Sequence, residues 1–238
     1  MNHDTNPEIT DSAWKPLYKL GGVSALMMVT IIIIQIIVFI IAPQPLEGTT
    51  VDWFNLFQNS KLVGLIDFEL LMVVYVLLSI PITISLFILL RQVNQSFTAI
   101  YLALSLVGVM CFIAARPAFE MLFLSNGYAV AATDAEKAMF LSAGQSLIAT
   151  FHGTAFHVSY VLGSITGLVI SLVMLRTNIF SKATAYLRIA SSVFDFGLYI
   201  PMVGIFISIF SVVFLFIWNI MIARRLFQLW RTQGAGNV

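Results

Sequence analysis

Long apolar runs alternate with short polar connectors along this chain, and the pattern predicts helices that cross a bilayer. The runs cover about 22–42, 65–90, 97–124, 154–175, 184–200 and 203–222. A run of about 20 apolar residues spans a hydrocarbon core of ~30 Å. The first run is too long for the apolar part of a cleaved signal peptide, usually about 7–15 residues, so it is expected to stay as a span. Pro43 and Pro45 end it. Pro81 interrupts the second run and should kink it, because proline removes one backbone hydrogen bond. Asn126–Gly127 reads as a turn, and Pro201 with Gly204 as a tight uncharged turn. Two connectors are amphipathic. Residues 51–58, VDWFNLFQ, set Trp53, Phe54 and Phe57 along one face and suit a helix in the membrane interface. Thr133-x-x-Glu136 is a capping box opening a second connector helix at 134–151, with Met139, Phe140, Ala143, Leu147 and Phe151 at helical spacing. That helix is either interfacial or re-entrant, and Gly153 marks the bend into the fourth run.

Composition agrees with this reading. The 238 residues are 60% hydrophobic and 10% charged, against about 45–50% and about 25% in soluble domains. The expectation is an all-α membrane protein built as a single bundle of six transmembrane helices. Charge then sets its orientation. With residues 1–20 and 231–238 as cytoplasmic tails, the inner segments hold Lys15, Lys19, Arg91, Arg176, Lys182, Arg224, Arg225 and Arg231, and the outer ones only Lys61 and Lys137. That asymmetry follows the positive-inside rule and requires an even number of spans. Trp14 and Tyr18 suit an interfacial belt. A net charge of +1 supplies no field for nucleic acid. The one cysteine, Cys111, excludes an internal disulfide.

Candidate chemistry lies where ionisable residues interrupt apolar runs, because such residues are costly in lipid and mark functional sites by default. The central case is Cys111–Phe123, CFIAARPAFEMLF, which sets Arg116 and Glu120 in the third run. At ~1.5 Å rise per residue, Arg116, Glu120, Glu69, Asp195, Tyr199, Gln35, His152 and His157 all fall in or near the outer half of the bilayer. Arg116 is expected to pair with Glu120, four residues on, and with Glu69 or Asp195 from another helix. Pro117 has no N–H, so the Ile113 carbonyl should lose its usual donor. Three roles for Arg116 stay open: an ionic pin, the anchor of a ligand pocket, or part of a catalytic centre. His152 and His157 point about 140° apart on one helix and reach a common metal only if the helix breaks at Gly153. With Glu69 or Asp195 they would then form a carboxylate–histidine site. Arg188 lies close enough to the inner edge to snorkel. Ser159, Gly163, Gly167 and Ser171 recur every four residues. This stripe permits close helix approach within the bundle, or in a homodimer or membrane complex through Gly163 and Gly167. No phosphate loop, G-x-S-x-G or H-E-x-x-H motif is present.

The second half, FHGTAFHVSYVLGSITGLVISLVMLRTNIFSKATAYLRIASS followed by GLYIP and WNIMIARRLFQL, resembles a large bacterial group of six-helix proteins, domain-of-unknown-function family 4386. The matching features are a helix ending in Met174–Arg176, a loop with Ser181–Lys182, and a last helix with Trp218–Arg225. The resemblance implies six helices in the bacterial inner membrane and no particular chemistry or cofactor. The leading expectation is a non-enzymatic protein that binds a small molecule, lipid or ion in an outward-facing polar cavity, with 51–58 and 134–151 as a lid. The alternatives are an intramembrane metal-dependent hydrolase and a structural subunit of a larger complex.

Overall fold

The structure, a computed structural model, describes residues 14–45 and 48–232, apart from the side chain of Ile205. Most of both tails lies outside the described residues. Those described form ten α-helices and no strand: α1 Lys15–Ile41, α2 Thr50–Asn59, α3 Lys61–Asp67, α4 Leu70–Leu90, α5 Gln95–Ala114, α6 Ala118–Val130, α7 Asp134–Phe151, α8 Thr154–Met174, α9 Lys182–Phe196 and α10 Gly204–Thr232. Five helical stretches are long and apolar enough to cross a membrane: Lys15–Ile41, Leu70–Leu90, Gln95–Val130, Asp134–Met174 and Phe206–Thr232. The apolar content and the helical pattern thus carry through to an α-helical membrane protein.

Several expected runs are broken or shifted for identifiable reasons. The run at 97–124 is two helices, because Pro117 cannot donate a backbone bond and α5 stops at Ala114. The run at 65–90 breaks at Phe68–Glu69, where Glu69 adopts a left-handed backbone with φ 59°, and α4 starts at Leu70. The run at 184–200 is a 15-residue helix followed by a 3-10 turn at Gly197–Tyr199. Pro81, by contrast, sits within an unbroken α4. Asn126–Gly127 is not a turn but lies inside α6. There Gly127 lets the Phe140 ring approach to 2.4 Å from where a Cβ would stand.

The chain divides into two compact units, and α1, α4, α5 and α8 contribute residues to both. One comprises residues 1–29, 78–105 and 163–238. Within it α9 packs along α10, and the Ser181 hydroxyl caps α9 by accepting from the Thr184 N–H. Gly167 of α8 makes a close approach to α9: a Cβ there would lie 2.2 Å from Ser192 Oγ. Arg188 does not reach for the interface alone. It donates to the Gly163 carbonyl at 3.0 Å and to Ser191 Oγ at 3.2 Å, and stacks over Trp218. Lys19 stands over the Trp230 ring at 5.0 Å, and Arg225 donates to the Ile179 carbonyl after α8. Tyr18 is fully buried rather than part of an exposed belt.

The other unit comprises residues 30–77 and 106–162. Here α2 packs on α3, α6 and α7, and α6 packs on α7. The expected capping box at Thr133 forms, and the structure adds a second at Thr49. Thr49 and Asp52 close the start of α2, and Thr133 and Glu136 that of α7. Hydrogen bonds donated by the Thr49 backbone N–H and by its hydroxyl hold the Asp52 carboxyl below its usual range. Ser60 ends α2 and caps α3, accepting from the Val63 N–H. The aromatic face of α2 turns into protein. Trp53, Phe54 and Phe57 form a buried cluster with Phe68, Ala118, Met121 and Phe151. Trp53 meets Phe68 edge-on at 5.1 Å. Gly144 of α7 admits Thr50 and Phe54 at 2.4 and 2.8 Å from its missing Cβ, which seats α2 against α7.

A buried arginine joint and its surroundings

The break between α5 and α6 creates the joint. Ala115, Arg116 and Pro117 lie between the helices. The chain turns tightly: the Arg116 N–H donates to the Ile113 carbonyl at 3.1 Å and the Ala118 N–H to the Arg116 carbonyl at 2.9 Å. The Ile113 carbonyl is therefore not left open, because a tightened last turn supplies it with a donor in place of the proline. Arg116 itself is only 6% exposed.

Two of its three guanidinium nitrogens bond within the protein. Nε donates to Glu69 Oε2 at 2.6 Å, and Nη1 donates to the carbonyls of Ala115 and Phe151, both at 3.1 Å. Those carbonyls close α5 and α7, where the last backbone acceptors of a helix lack intrahelical donors. A cation at a helix C-terminus also meets the negative end of the helix dipole, just as Glu69 stands at the positive start of α4. Three rings enclose the group: Phe112 at 4.3 Å, Phe151 at 4.4 Å and Phe156 at 4.9 Å from the guanidinium carbon. Guanidinium planes stack well on such faces. One side chain thus ties the ends of α5 and α7 to the start of α4.

The expected partners divide accordingly. Glu69 joins Arg116 and is half-buried. Glu120 does not. It begins the separate helix α6, is exposed, and makes no ion pair among the described residues. The proline break turns what would be an i,i+4 neighbour onto a new helix. Glu120 instead lines an open groove of about 510 Å³ with Phe119, Phe123, Leu124, Ala143 and Leu147. Asp195 on α9 is half-buried and Tyr199 in the 3-10 turn is exposed. Both belong to the unit that does not contain Arg116. His152 caps the end of α7 with its ring edge-on to Phe151, and His157 lies on α8. The helix does break between them, at His152–Gly153, yet both are exposed. Among the described residues no three of His, Cys, Asp and Glu are grouped to hold a metal.

Gln35 is buried and donates to the Ile66 carbonyl at 3.1 Å. The side-chain amide of Gln44 donates to the next carbonyl, that of Asp67. Asp67 is fully buried at the end of α3, before the α4 span, and desolvation pushes its carboxyl up to about 6.

The aromatic cage escapes a reading of spacing, since Phe112, Phe151 and Phe156 are three of 20 phenylalanines with nothing local to mark them. Asp67 had a local signal, a carboxylate after the apolar Leu65–Ile66 pair, but only packing shows that its oxygens have no hydrogen-bond partner among the described residues. Comparison with protein-family models, with curated proteins and with solved structures returns no match.

Proposed function

We propose a multi-pass protein of the bacterial inner membrane, of the kind that the resemblance to family 4386 implies. It has six spans and both ends in the cytoplasm, and it binds an amphiphile rather than catalysing a reaction. Contacts within one unit support the even count. Lys19 near the start of α1 meets Trp230 near the end of α10, and Arg225 meets the loop after α8. These ends share one side, so α9 and α10 together must leave that side and return to it. Residues 182–199 give a helix and 3-10 turn about 28 Å long, from ~1.5 and ~2.0 Å rise per residue, which suits a bilayer core of ~30 Å. The basic residues at that side support its being cytoplasmic.

The role of Arg116 follows from its bonds. A guanidinium already held by a carboxylate, two carbonyls and three rings is a pin rather than an anchor for an anionic ligand. The ligand reading therefore rests on the groove between α6 and α7. Its volume falls in the range of small-molecule sites, about 300–1,000 Å³, and it offers apolar walls with one carboxylate, Glu120. That chemistry matches an ammonium group on an apolar body.

The test uses the full chain in phosphatidylcholine nanodiscs, titrated with dodecylamine and, for comparison, dodecanol and dodecyl sulfate. Selective binding of the amine, weakened about tenfold or more by Glu120→Gln (about 1.4 kcal/mol,), is expected. Equal binding of all three, or no effect of the substitution, would remove the groove as a cation-recognising site.

A further inference from the structure

The end of α3 gathers acceptors without donors. Asp67 has zero exposure, and neither carboxylate oxygen has a hydrogen-bond partner among the described residues. Gln35 is 5% exposed. It spends its amide N–H on the Ile66 carbonyl and leaves Oε1 buried and unpartnered. Gln44 spends its own amide on the Asp67 carbonyl. Three buried oxygens next to one peptide thus lack a donor, and the one bond that each neighbouring amide makes here goes to a backbone carbonyl. A buried ionised carboxylate without partner is too costly to persist, and such a group takes a proton instead.

The charged groups of the packed elements do not relieve it. α2 offers Asp52, exposed and held in its capping box; α3 offers Lys61; α6 offers Glu120 in its groove; and Glu69 with Arg116 is a closed pair. The described part of α1 in this unit offers no titratable group, only Gln35. A metal or sodium ion would ask for more oxygen ligands than the acidic groups here supply. One proton is sufficient: it neutralises the carboxyl and creates the missing O–H donor.

We propose that Asp67 is a proton-binding site whose occupancy holds α3 in place, so that loss of the proton to water loosens the Lys61–Asp67 segment from its Gln35 and Gln44 clamps. The segment leads directly into Glu69, so the protonation state of Asp67 bears on the arginine joint two residues away. This site is separate from the groove and stands whether or not an amphiphile binds there.

Infrared difference spectroscopy on the purified full chain, moved between about pH 5 and about pH 8, reads the proton directly. The wild type is expected to lose the carbonyl stretch of a protonated carboxylic acid over that interval. Carbon-13 labelling of aspartate carboxyls should shift the band, and Asp67→Asn should abolish it. The melting temperature of the wild type is expected to fall over the same interval, and that of Asp67→Asn to stay level. No acid band, a band untouched by aspartate labelling, or equal pH dependence in both proteins overturns the proposal. So does a sodium-specific rise in the wild-type melting temperature at the higher pH, with choline as control, since that outcome makes the site a cation site. Should Asp67→Asn not fold, the labelled band is read in Asp195→Asn, the other aspartate within an apolar helix: a band that persists there is expected, and a band lost there overturns the proposal.

Discussion

Removing the carboxylate at Glu69 should cost more while Arg116 stays charged than after Arg116 has itself been replaced. In Glu69→Gln the shape is kept and the charge of Arg116 loses its counter-ion, yet the Arg116 side chain is 1% exposed and cannot turn to water. Breaking a buried pair in this way typically costs about 3–5 kcal/mol, because the remaining charge is uncompensated. The 2.6 Å contact to Nε is a charge-assisted bond of the strong class. The bonds from Nη1 to the Ala115 and Phe151 carbonyls survive, and they hold the cost below that of moving a bare ion into apolar surroundings. Arg116→Met alone leaves Glu69, which is 23% exposed and can rehydrate. Its main cost is the loss of two C-terminal carbonyl caps, each about 1–3 kcal/mol when left buried. In the double variant Glu69→Gln with Arg116→Met, neither charge remains and the methionine keeps contact with the Phe112, Phe151 and Phe156 rings. It should recover about 1–3 kcal/mol of the summed single-variant losses as coupling energy. The assay is equilibrium unfolding of the purified chain in mixed micelles, read by circular dichroism, for all four members of the cycle. At about 2–4 °C per kcal/mol for a chain of this size, Glu69→Gln should lower the melting temperature by about 6–20 °C. A loss below about 1 kcal/mol for Glu69→Gln, or a cycle that is additive within about 0.5 kcal/mol, would show that the joint is not a pin.

Asp67→Asn tests a different charge. The Asp67 carboxyl is raised by burial from 3.8 to about 6, so between those values the folded state holds a proton that the unfolded state has released. Stability should therefore fall as pH rises from about 3.8 through about 6 and level off above it. The asparagine variant should escape this loss and be more stable by up to about 3 kcal/mol above about pH 6 (1.36 kcal/mol per pKa unit,), with no advantage below about pH 4; chemical denaturation across that range checks it. Gly144→Val would drive a branched side chain into Thr50 and Phe54, which stand 2.4 and 2.8 Å from the position of its Cβ. A loss of about 1–3 kcal/mol is expected from overpacking, with faster proteolysis in α2, whereas Gly163→Ala, with nothing within 4 Å, should be close to neutral. Glu120→Gln should leave the unfolding free energy within about 0.5 kcal/mol of wild type, as its side chain is exposed and forms no ion pair among the described residues, while lowering affinity for dodecylamine.

Local chemistry carried much of the architecture into the sequence. The capping box at Thr133 and Glu136 predicts the start of α7 correctly because it needs only two side chains and one turn of backbone. The bend at Gly153 is legible for the same reason. The reading fails where a distant surface decides. The 51–58 stretch has the period of an interfacial helix, yet its aromatic face is spent on Phe68, Met121 and Phe151, and period alone does not distinguish lipid from protein as the apolar neighbour. Arg116 announces itself as a buried cation in need of a carboxylate. Helical spacing favours Glu120, and the proline break moves that residue to another helix.

By itself the sequence determined that the chain is a set of long apolar helices of a membrane protein, with one costly cation among apolar neighbours. These follow from composition, period and single-residue energetics, which are local. Tertiary structure alone decided that Arg116 pairs with Glu69, caps α5 and α7, and sits among three phenylalanines, and that the Asp67 carboxylate meets no hydrogen-bond partner among the described residues. Those outcomes depend on which side chains, tens of residues apart, are brought within about 3 Å of one another. The pattern of apolar and polar positions constrains which face is buried, but not what the buried face meets.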